Sequence, residues 1–414
     1  MARDYIIRRA ESSADGQKLH TLFSAVFHPE QVGVLAATMF RHLPGMHHDY
    51  WFLVEDRKRG QLVSGFALIP WQWKLEGVRL KVAEMGIVGT LKAYRGQGLF
   101  RMLNREFEQT LADEGFDLAV IQGIPGFYDQ FGYAYAIPLE NHINLPLHLV
   151  REPQEKGAYA IRLAETADIP FLMKADEAYR QAFALAAFRD AAHWAYLLTE
   201  SSKTEYGSAF WIIEREETAE RFYCRIPADG FGSGLIISEI SADISLPALL
   251  SLFYFGKEKA RQRDKPYIRL NLHNDSFAGR TAVAMGAQPG TPYAWQVRIP
   301  DTIRFLTTLT PVLEQRLRAS RLSGFSGVFR LNFFRSAVDL QWEAGLLVDV
   351  TEGKGTAEHT FAVRADLFPA LCLGHRTWQE VRHIHPDVSA GSELSSLLLE
   401  TLFPVMNSWI HEQY

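Results

Sequence analysis

A basic, glycine-rich turn, Tyr94-Arg95-Gly96-Gln97-Gly98, holds residue types that could do chemistry. The apolar run at residues 87–90 before it is typical of a strand, and apolar residues after it recur four apart, at Leu99, Leu103, Phe107 and Leu111. That spacing predicts one face of a helix. The first N–H groups of a helix lack intrahelical partners and lie at the positive end of its dipole, and glycines let a ligand approach the backbone. The sequence therefore predicts an anion-binding site, to which Arg95, Arg101 and Arg105 add charge.

Two well-known phosphate-binding loops do not fit this turn. A Walker loop would continue with Gly-Lys-Ser or Gly-Lys-Thr, whereas Gly98 is followed by Leu99 and Phe100. A dinucleotide fingerprint needs a small third residue for helix–strand packing, and Arg101 stands at that position. The anion is therefore expected to belong to another class of ligand.

A second segment follows the predicted helix. Residues 116–121 form a nearly continuous apolar run, which predicts a strand buried on both faces. The run leads into Gly126-Phe127-Tyr128-Asp129-Gln130-Phe131-Gly132-Tyr133. Taken singly, a Gly-Gln-Gly turn is also typical of an ordinary helix N-terminus, and an aromatic run is also typical of a protein core.

Found in this order, the two segments resemble the GCN5-related N-acetyltransferases (GNAT). Arg95 and Gly98 match the coenzyme A loop of these enzymes, Arg/Gln-x-x-Gly-x-Gly/Ala, and Phe100 stands where the last small residue is usual. The enhanced intracellular survival (Eis) family tolerates a large apolar residue there. Tyr128 to Tyr133 is similar to the Tyr-x-x-Phe-Gly-Tyr signature that follows the fifth strand in that family.

The resemblance implies an acetyl-CoA-dependent N-acetyltransferase that acts on a primary amine of an aminoglycoside-, polyamine- or lysine-like acceptor. It implies that acetyl-CoA is the cosubstrate and that no metal takes part. The implied catalytic groups are Tyr128, beside the thioester sulfur, and the terminal carboxylate of Tyr414. The implied cofactor-binding residues are Val88, Gly89, Thr90, Arg95, Gly96, Gln97, Gly98 and Leu99, with the oxyanion met by N–H groups at residues 88–90.

Reference pKa values fit these roles. A tyrosine near 10 lies close to a thiol at about 8.5, so Tyr128 is matched to protonate the departing thiolate. A carboxylate near 4 is a weak base toward an ammonium near 10. We therefore expect the carboxylate of Tyr414 to act by desolvation, through water, or mainly by holding the amine.

The acceptor site is the least defined part of the sequence. Several aromatic residues and one acid could line a cleft for a cation-bearing amine or could equally be packing; they are Phe27, Trp51, Trp71, Trp73 and Glu84. Two alternatives stay open, an apolar-ligand or lipid-binding protein and a coenzyme A-binding sensor without turnover. A C-terminal tail that reaches the N-terminal cleft would favour the enzyme.

Composition bounds the remaining classes. The chain has 414 residues, 47% of them hydrophobic, and a formal net charge of -5, which argues against a nucleic-acid partner. No apolar run of membrane-spanning length is present, so neither export nor a membrane span is expected. Cys224 and Cys372, the two cysteines, are expected to be buried thiols in a cytoplasmic protein. His47-His48-Asp49 is expected to be solvent-exposed and without metal.

The expected fold class is α+β, with two tandem GNAT-like domains followed by a sterol-carrier-protein-like α+β domain. The polar stretch 151–157 predicts a boundary, giving a GNAT domain with the acetyl-CoA site at 1–150 and a degenerate GNAT-like domain at 158–300. In the latter, residues 241–247 replace the glycine turn, and Asp243 or Ser245 is expected to cap the helix. Residues 301–414 resemble the sterol-carrier-protein-like domain of Eis proteins, which are bacterial. A homo-oligomer, a trimer or a hexamer, is compatible with the family.

Several local predictions are open to direct comparison. Residues 167–188 are expected to form one helix, residues 235–240 one strand, and residues 302–321 one amphipathic helix. Tyr133 and Tyr135 are expected in the core.

Overall fold

The computed structural model describes residues 5–155, 157–228, 233–290, 293–411 and 414, and it has a mixed α/β fold. The N-terminal third contains strands β1 (Tyr5–Arg9), β2 (Trp51–Asp56), β3 (Gln61–Leu75), β4 (Val78–Thr90), β5 (Leu118–Ile121), β6 (Ala134–Leu139) and β7 (His142–Pro146). Its helices are α1 (Ser13–Phe27), α2 (Val32–His42) and α3 (Leu99–Asp113). Strand β4, the glycine turn, α3 and β5 follow one another as predicted.

The middle third contains strands β8 (Ala160–Leu163), β9 (Leu185–Ala187), β10 (Ser208–Arg215), β11 (Glu220–Pro227), β12 (Leu235–Ile237), β13 (Glu239–Ile240), β14 (Tyr267–Asn271) and β15 (Tyr293–Arg298). Its helices are α4 (Ile169–Gln181), α5 (Ala191–Thr199), α6 (Leu246–Gln262) and α7 (Phe277–Ala284).

The last third contains strands β16 (Gly327–Asn332), β17 (Ala337–Glu343), β18 (Leu346–Glu352), β19 (His359–Ala362) and β20 (Ser389–Ala390). They form one sheet in the order β18-β17-β16-β19-β20. Its helices are α8 (Thr302–Thr308), α9 (Thr310–Arg318), α10 (Phe368–Cys372), α11 (Trp378–Ile384) and α12 (Glu393–Leu402). The predicted helix 302–321 is two helices, because Pro311 in the first turn of α9 has no N–H to continue the hydrogen bonding of α8.

The largest sheet has eight strands, ordered β1-β2-β3-β4-β5-β15-β6, with β9 added beside β3. Helices α1 and α2 cover one face, where Phe23 and Phe40 pack with Trp71 and Val82. Helix α3 covers the other face, where Leu103 and Phe107 pack with Met85 and Ala119. Neighbouring residues of one strand point to opposite faces. Strand β4 therefore presents alternate residues to the two layers.

Strands cross between the N-terminal and middle thirds. Strand β15 lies in the first sheet between β5 and β6, and β7 lies in the middle sheet beside β14. Strand β9 also joins the first sheet, pairing antiparallel with β3. The sheets are thus shared across the predicted boundary at 151–157, and the boundary itself stays a prediction.

Two local predictions in the middle third are wrong. The helix predicted over 167–188 ends at Gln181, because Leu185–Ala187 pairs with the end of β3 and is buried there. Tertiary pairing outweighs the helix propensity of this alanine-rich segment. The strand predicted over 235–240 is divided, since β12 pairs with β14 while β13 pairs with β11 in another sheet.

Candidate active site

The glycine turn is open at the start of α3. Gly96 and Gly98 have φ of 74° and 75°, a conformation that side chains disfavour, and Gly98 is the N-cap of α3. No side chain caps α3, and a Cβ added at either glycine would meet no atom within 4 Å. The first N–H groups of α3 therefore face open space, as an anion-binding helix terminus requires.

Side chains from β1 and the β2–β3 turn hold this segment in place. The Tyr94 hydroxyl donates to Asp56 Oδ2 at 2.7 Å and accepts from Arg59 at 2.5 Å. Tyr5 donates to the side-chain oxygen of Gln97 at 2.6 Å, and Arg95 Nε donates to the carbonyl of Thr90 at 3.1 Å. The side chains of Gln97 and Arg95 are thus engaged locally, and the main chain of the turn is presented to a ligand.

A bulge interrupts β4 just before the turn. Gly65 pairs with Gly89 and Ala67 with Gly86, so Ile87 and Val88 both stand opposite Phe66. Ile87 has φ of 54°, which is a rare conformation for a β-branched residue and is typical of functional positions. A bulge redirects the main chain of the strand that carries it. The bulge therefore changes the direction of the main chain at residues 88–90, whose N–H groups are predicted to bind the oxyanion.

Strands β4 and β5 separate next to this bulge. Their parallel pairing joins residues 82–84 to residues 118–120, and β4 then continues to Thr90 without β5. On its other edge, β5 pairs with β15. The resulting opening between two parallel strands lies beside the glycine turn, and it is a place where an extended ligand can lie along free strand edges.

Tyr128 lies in the loop that follows β5. Its ring packs in the layer under α3, against Phe100, Phe127 and Tyr133. Gly123 makes room for it, because a Cβ there would lie 2.3 Å from the Tyr128 ring. The side chain is 5% exposed, and burial raises the pKa of Tyr128 to about 12. The hydroxyl therefore keeps its proton at neutral pH, but its pKa lies further above the thiol value of about 8.5 than the ordinary tyrosine value does.

This shift predicts the alkaline side of the rate profile. Because the pKa of Tyr128 is raised, the protonated form persists above the ordinary value of about 10 and is lost only as the pH approaches about 12. We expect the turnover number to rise with pH as the acceptor amine deprotonates. No alkaline decrease in the turnover number is expected at pH values under about 10. Steady-state rates across pH test this, and an alkaline limb below pH 10 that disappears in Tyr128→Phe would contradict it.

The C-terminal segment leaves the last third and runs to the first sheet. Met406 N donates to the carbonyl of Gly374, and the segment then pairs with β9, where Trp409 N donates to the carbonyl of Leu185 at 3.0 Å. The Tyr414 ring stacks on Trp71 with centroids 6.1 Å apart. Its hydroxyl donates to Glu84 Oε1 at 3.3 Å. Because the C-terminal segment reaches the N-terminal third, its course favours the enzyme over a lipid-binding protein.

Glu84 and Trp71 form a polar pair on the α1–α2 face. Glu84 is 2% exposed, and its Oε2 accepts from the Trp71 indole N–H at 2.6 Å. The ring of His193 from α5 also stacks on Trp71, at 5.5 Å. Trp51 and Trp73 are equally buried, but their indole N–H groups have no hydrogen-bond partner among the described residues, and Phe27 packs at the edge of the core. Of the five residues that were expected to line an acceptor cleft, Glu84 and Trp71 therefore remain candidates.

The two predicted catalytic residues, Tyr128 and Tyr414, pack on opposite faces of the sheet that contains β4. Tyr128 belongs to the layer under α3, while Tyr414 packs on the layer under α1 and α2. Of the tyrosines expected in the core, Tyr133 is buried, whereas Tyr135 is 40% exposed and the prediction for it is wrong. Tyr135 lies beside Tyr293 instead, with hydroxyls 3.3 Å apart.

Comparison with known proteins supports the chemistry of the first domain. A family model described as an acetyltransferase (GNAT) domain matches residues 7–136. The chain is therefore an N-acetyltransferase enzyme, and its cosubstrate is acetyl-CoA, as predicted from the sequence. No curated protein sequence matches the chain.

Solved structures share the whole fold at low identity. A GCN5-related N-acetyltransferase from Anabaena variabilis is 15% identical, with a TM-score of 0.68 over 98% of this chain and 99% of that one. A probable N-acyltransferase from Enterococcus faecalis is 15% identical, with a TM-score of 0.71 over 99% of each chain. Eis1 from Mycobacterium abscessus is 15% identical, with a TM-score of 0.62 over 99% of this chain and 100% of that one. These likenesses show the fold.

The middle third lacks the features of the GNAT turn. Ser245, one of the two predicted caps, is the N-cap residue of α6 but makes no side-chain capping hydrogen bond, and Asp243 is exposed. The Ser245 hydroxyl lies 3.3 Å from that of Tyr159 instead. Within the described ranges, no helix is long and apolar enough to cross a membrane. The same residues contain no group of three His, Cys, Asp or Glu side chains that could hold a metal ion.

Sequence reasoning missed three charged residues beside the C-terminal segment, Arg189, Arg225 and Glu239. Arg225 Nη2 donates to the main-chain oxygen of Tyr414 at 3.1 Å. Arg225 and Glu239 are each a single charge among mostly apolar neighbours, whereas Arg189 is followed by Asp190. A lone charge among apolar neighbours, in a segment predicted to be a buried strand, was the available signal.

Proposed function

We propose that this GNAT enzyme transfers the acetyl group of acetyl-CoA to the primary amine of a cation-bearing acceptor that is aminoglycoside-, polyamine- or lysine-like. The supporting observation is the buried carboxylate of Glu84, held by the Trp71 indole two residues from the Gly86–Gly89 bulge. Buried carboxylates and aromatic faces both attract cations. The acceptor would enter on the α1–α2 face, opposite the layer that contains Tyr128.

Acetyl-CoA would lie in the opening between β4 and β5 with its pyrophosphate at the glycine turn. Arg95, Gly96, Gln97, Gly98 and Leu99 would bind the pyrophosphate, chiefly through their main-chain N–H groups. The main chain of Val88, Gly89 and Thr90 would bind the thioester end, and N–H groups there would stabilise the oxyanion. The bulge and the open α3 N-terminus support this assignment.

Tyr128 would be the general acid. When the amine attacks the thioester carbonyl, the carbon–sulfur bond breaks and the thiolate needs a proton. The neutral Tyr128 hydroxyl can supply it, because burial keeps it protonated. The released coenzyme A then leaves as a thiol.

The carboxylate of Tyr414 would be the second catalytic group. Its main-chain oxygen accepts from Arg225 at 3.1 Å, and such a partner lowers the basicity of a carboxylate. We therefore assign it to orienting the amine and to taking its proton through water, rather than to direct deprotonation of an ammonium.

Extending the chain tests this assignment. A few glycines added after Tyr414 keep every side chain and displace only the charge, so we expect an unchanged melting temperature and a turnover number reduced by roughly 100-fold, as for lost acid–base groups. Extension of the N-terminus by the same glycines is the control. Wild-type turnover in the C-terminally extended protein would show that the terminal carboxylate has no role.

Thiol release from acetyl-CoA against a panel of amines tests the proposed reaction. We expect release to depend on the amine and to be faster with polyamines, aminoglycosides or lysine derivatives than with neutral amines of similar size. Glu84→Gln keeps the shape of the cleft and removes its charge, so it should raise KM for cationic amines and leave KM for acetyl-CoA unchanged. Equal rates with charged and neutral amines would contradict the proposed acceptor class.

The proposed organisation is that of the Eis family, with domains at 1–150, 158–300 and 301–414, the second a degenerate GNAT-like domain and the third sterol-carrier-protein-like. The end-to-end likeness to Eis1 from Mycobacterium abscessus supports it. We also propose that the protein is cytoplasmic and forms a trimer or a hexamer. Light scattering of the purified protein tests the oligomeric state.

A further inference from the structure

Three charged residues of the middle third form a buried cluster next to the C-terminal segment. The anchoring cluster consists of Arg189, Arg225 and Glu239, which are 1%, 0% and 0% exposed. Arg189 donates two hydrogen bonds to Glu239, at 2.9 and 2.8 Å. Arg225 Nη1 donates to Glu239 Oε1 at 3.3 Å. Glu239 thus joins the two arginines.

Such a cluster has no need to exist for stability alone. Removing charges from water is costly, and buried ion pairs can often be replaced by apolar residues without loss of stability. Glu239 is nevertheless held ionised: burial opposes its charge, but the charge and hydrogen bonds of Arg189, together with the charge of Arg225, hold the pKa of Glu239 well below its usual range. Unlike apolar packing, the guanidinium groups of such a cluster can fix the position of a hydrogen-bond acceptor.

The C-terminal segment packs on this cluster. The ring of His411 lies 4.0 Å from that of Tyr179, and its Nε2 lies 3.9 Å from Glu239 Oε2. Arg225 Nη2 reaches the main-chain oxygen of Tyr414. Because Arg225 also bonds to Glu239, its guanidinium is fixed from one side and directs its other nitrogen to Tyr414.

Tyr414 connects the anchoring cluster to the first sheet. Its main chain is held by Arg225 on β11, whereas its ring stacks on Trp71 of β3 and its hydroxyl donates to Glu84 of β4. Strand β11 belongs to a different sheet from β3 and β4. Tyr414 is therefore held from two sheets at once, and its ring covers the polar pair of the acceptor cleft.

We infer that Arg225 is a positioning residue for the acetyl acceptor: it holds Tyr414 so that its ring and hydroxyl shape the cleft at Trp71 and Glu84. This inference rests on the proposed function, because it concerns the acceptor side of the same site. It gives the middle third, which has no glycine turn of its own, a part in the reaction of the N-terminal domain. Arg225 touches no substrate and acts through Tyr414.

The test compares Arg225→Met and Arg225→Lys with a matched control. The control is Arg221→Met. Arg221 lies on the same strand, β11, and pairs with Asp168 and Glu214 instead of Tyr414. In Arg225→Met we expect kcat/KM for the amine to fall by roughly 10- to 100-fold, the range that misplacement of a reacting group can cost. We expect the acetyl-CoA dissociation constant to stay within twofold, Arg225→Lys to recover part of the loss, and Arg221→Met to act as wild type.

Two further measurements separate positioning from general stability. Hydrogen exchange of a peptide covering residues 404–414 should become faster in Arg225→Met and not in Arg221→Met. In a Tyr414→Ala background, Arg225→Met should cause a smaller loss than in the wild type, because the ring that it positions is gone and only the terminal carboxylate is left for it to hold. Should Arg225→Met fail to fold, Arg225→Lys is judged by the same measurements, with an intermediate loss expected.

Two results would overturn the inference. One is a folded Arg225→Met protein whose peptide 404–414 exchanges faster while kcat/KM for the amine is unchanged. The other is a full additional loss in the Tyr414→Ala background. If the wild type acetylates no amine in the panel, the proposed function fails, and hydrogen exchange still reports whether Arg225 holds the C-terminal segment.

Discussion

Replacing Tyr128 by phenylalanine is expected to lower turnover by about 100-fold or more, or about 3 kcal/mol in activation free energy. The substitution keeps the ring that packs against Phe100, Phe127 and Tyr133 and removes only the hydroxyl. Acetyl-CoA affinity should therefore stay within a few-fold. Single-turnover rates and calorimetric titration measure the two effects separately.

Tyr133→Phe is the matched control. Tyr133 packs against Tyr128, and its hydroxyl is buried with no hydrogen-bond partner among the described residues. Removing that hydroxyl costs no interaction, so turnover and stability should be at least as high as in the wild type. Equal turnover in Tyr128→Phe and the wild type would assign the proton to water or to another group.

Replacing Gly98 by aspartate is expected to abolish acetyl-CoA binding. The change places a negative charge at the open N-terminus of α3, where the pyrophosphate would bind, and imposes a side chain on a residue with φ of 75°. Calorimetry should show one acetyl-CoA site per wild-type chain and none in the variant. The single site is expected because residues 241–247, which precede α6, contain no glycine and present Asp243 there.

Gly355→Asp controls for backbone strain and charge. Gly355 also has positive φ, 67°, and a Cβ there would meet no atom within 4 Å, but it lies in the turn after β18. The Gly355→Asp protein should bind acetyl-CoA as the wild type does. Two sites per wild-type chain, or unchanged affinity in Gly98→Asp, would contradict the assignment of the turn.

The site could be predicted where local pattern and chemistry coincide. The four-residue spacing of Leu99, Leu103, Phe107 and Leu111 fixed the start of α3, and all four are buried. The glycines of the turn indicated a backbone with positive φ, which Gly96 and Gly98 adopt. The resemblance implied that Tyr414 lies at the N-terminal site, and the ring of Tyr414 stacks on Trp71 of β3.

The remaining features depend on partners that are distant in sequence. Nothing local to residues 293–298 indicates that β15 pairs with β5 and β6, and nothing local to Leu185–Ala187 indicates that it pairs with β3. The positive φ of Ile87 contradicts the preference of its residue type and is imposed by its neighbours. Arg225 and Glu239 acquire meaning only when the C-terminal segment packs beside them.

Following an isotope-labelled acetyl group from acetyl-CoA tests the central claim most directly. With a cationic amine present, we predict that the label appears in the amine in equal amount to the thiol released, and that both stop in Gly98→Asp. Label recovered as free acetate, or retained on acetyl-CoA while the amine stays unmodified, would contradict transfer to an amine at this site.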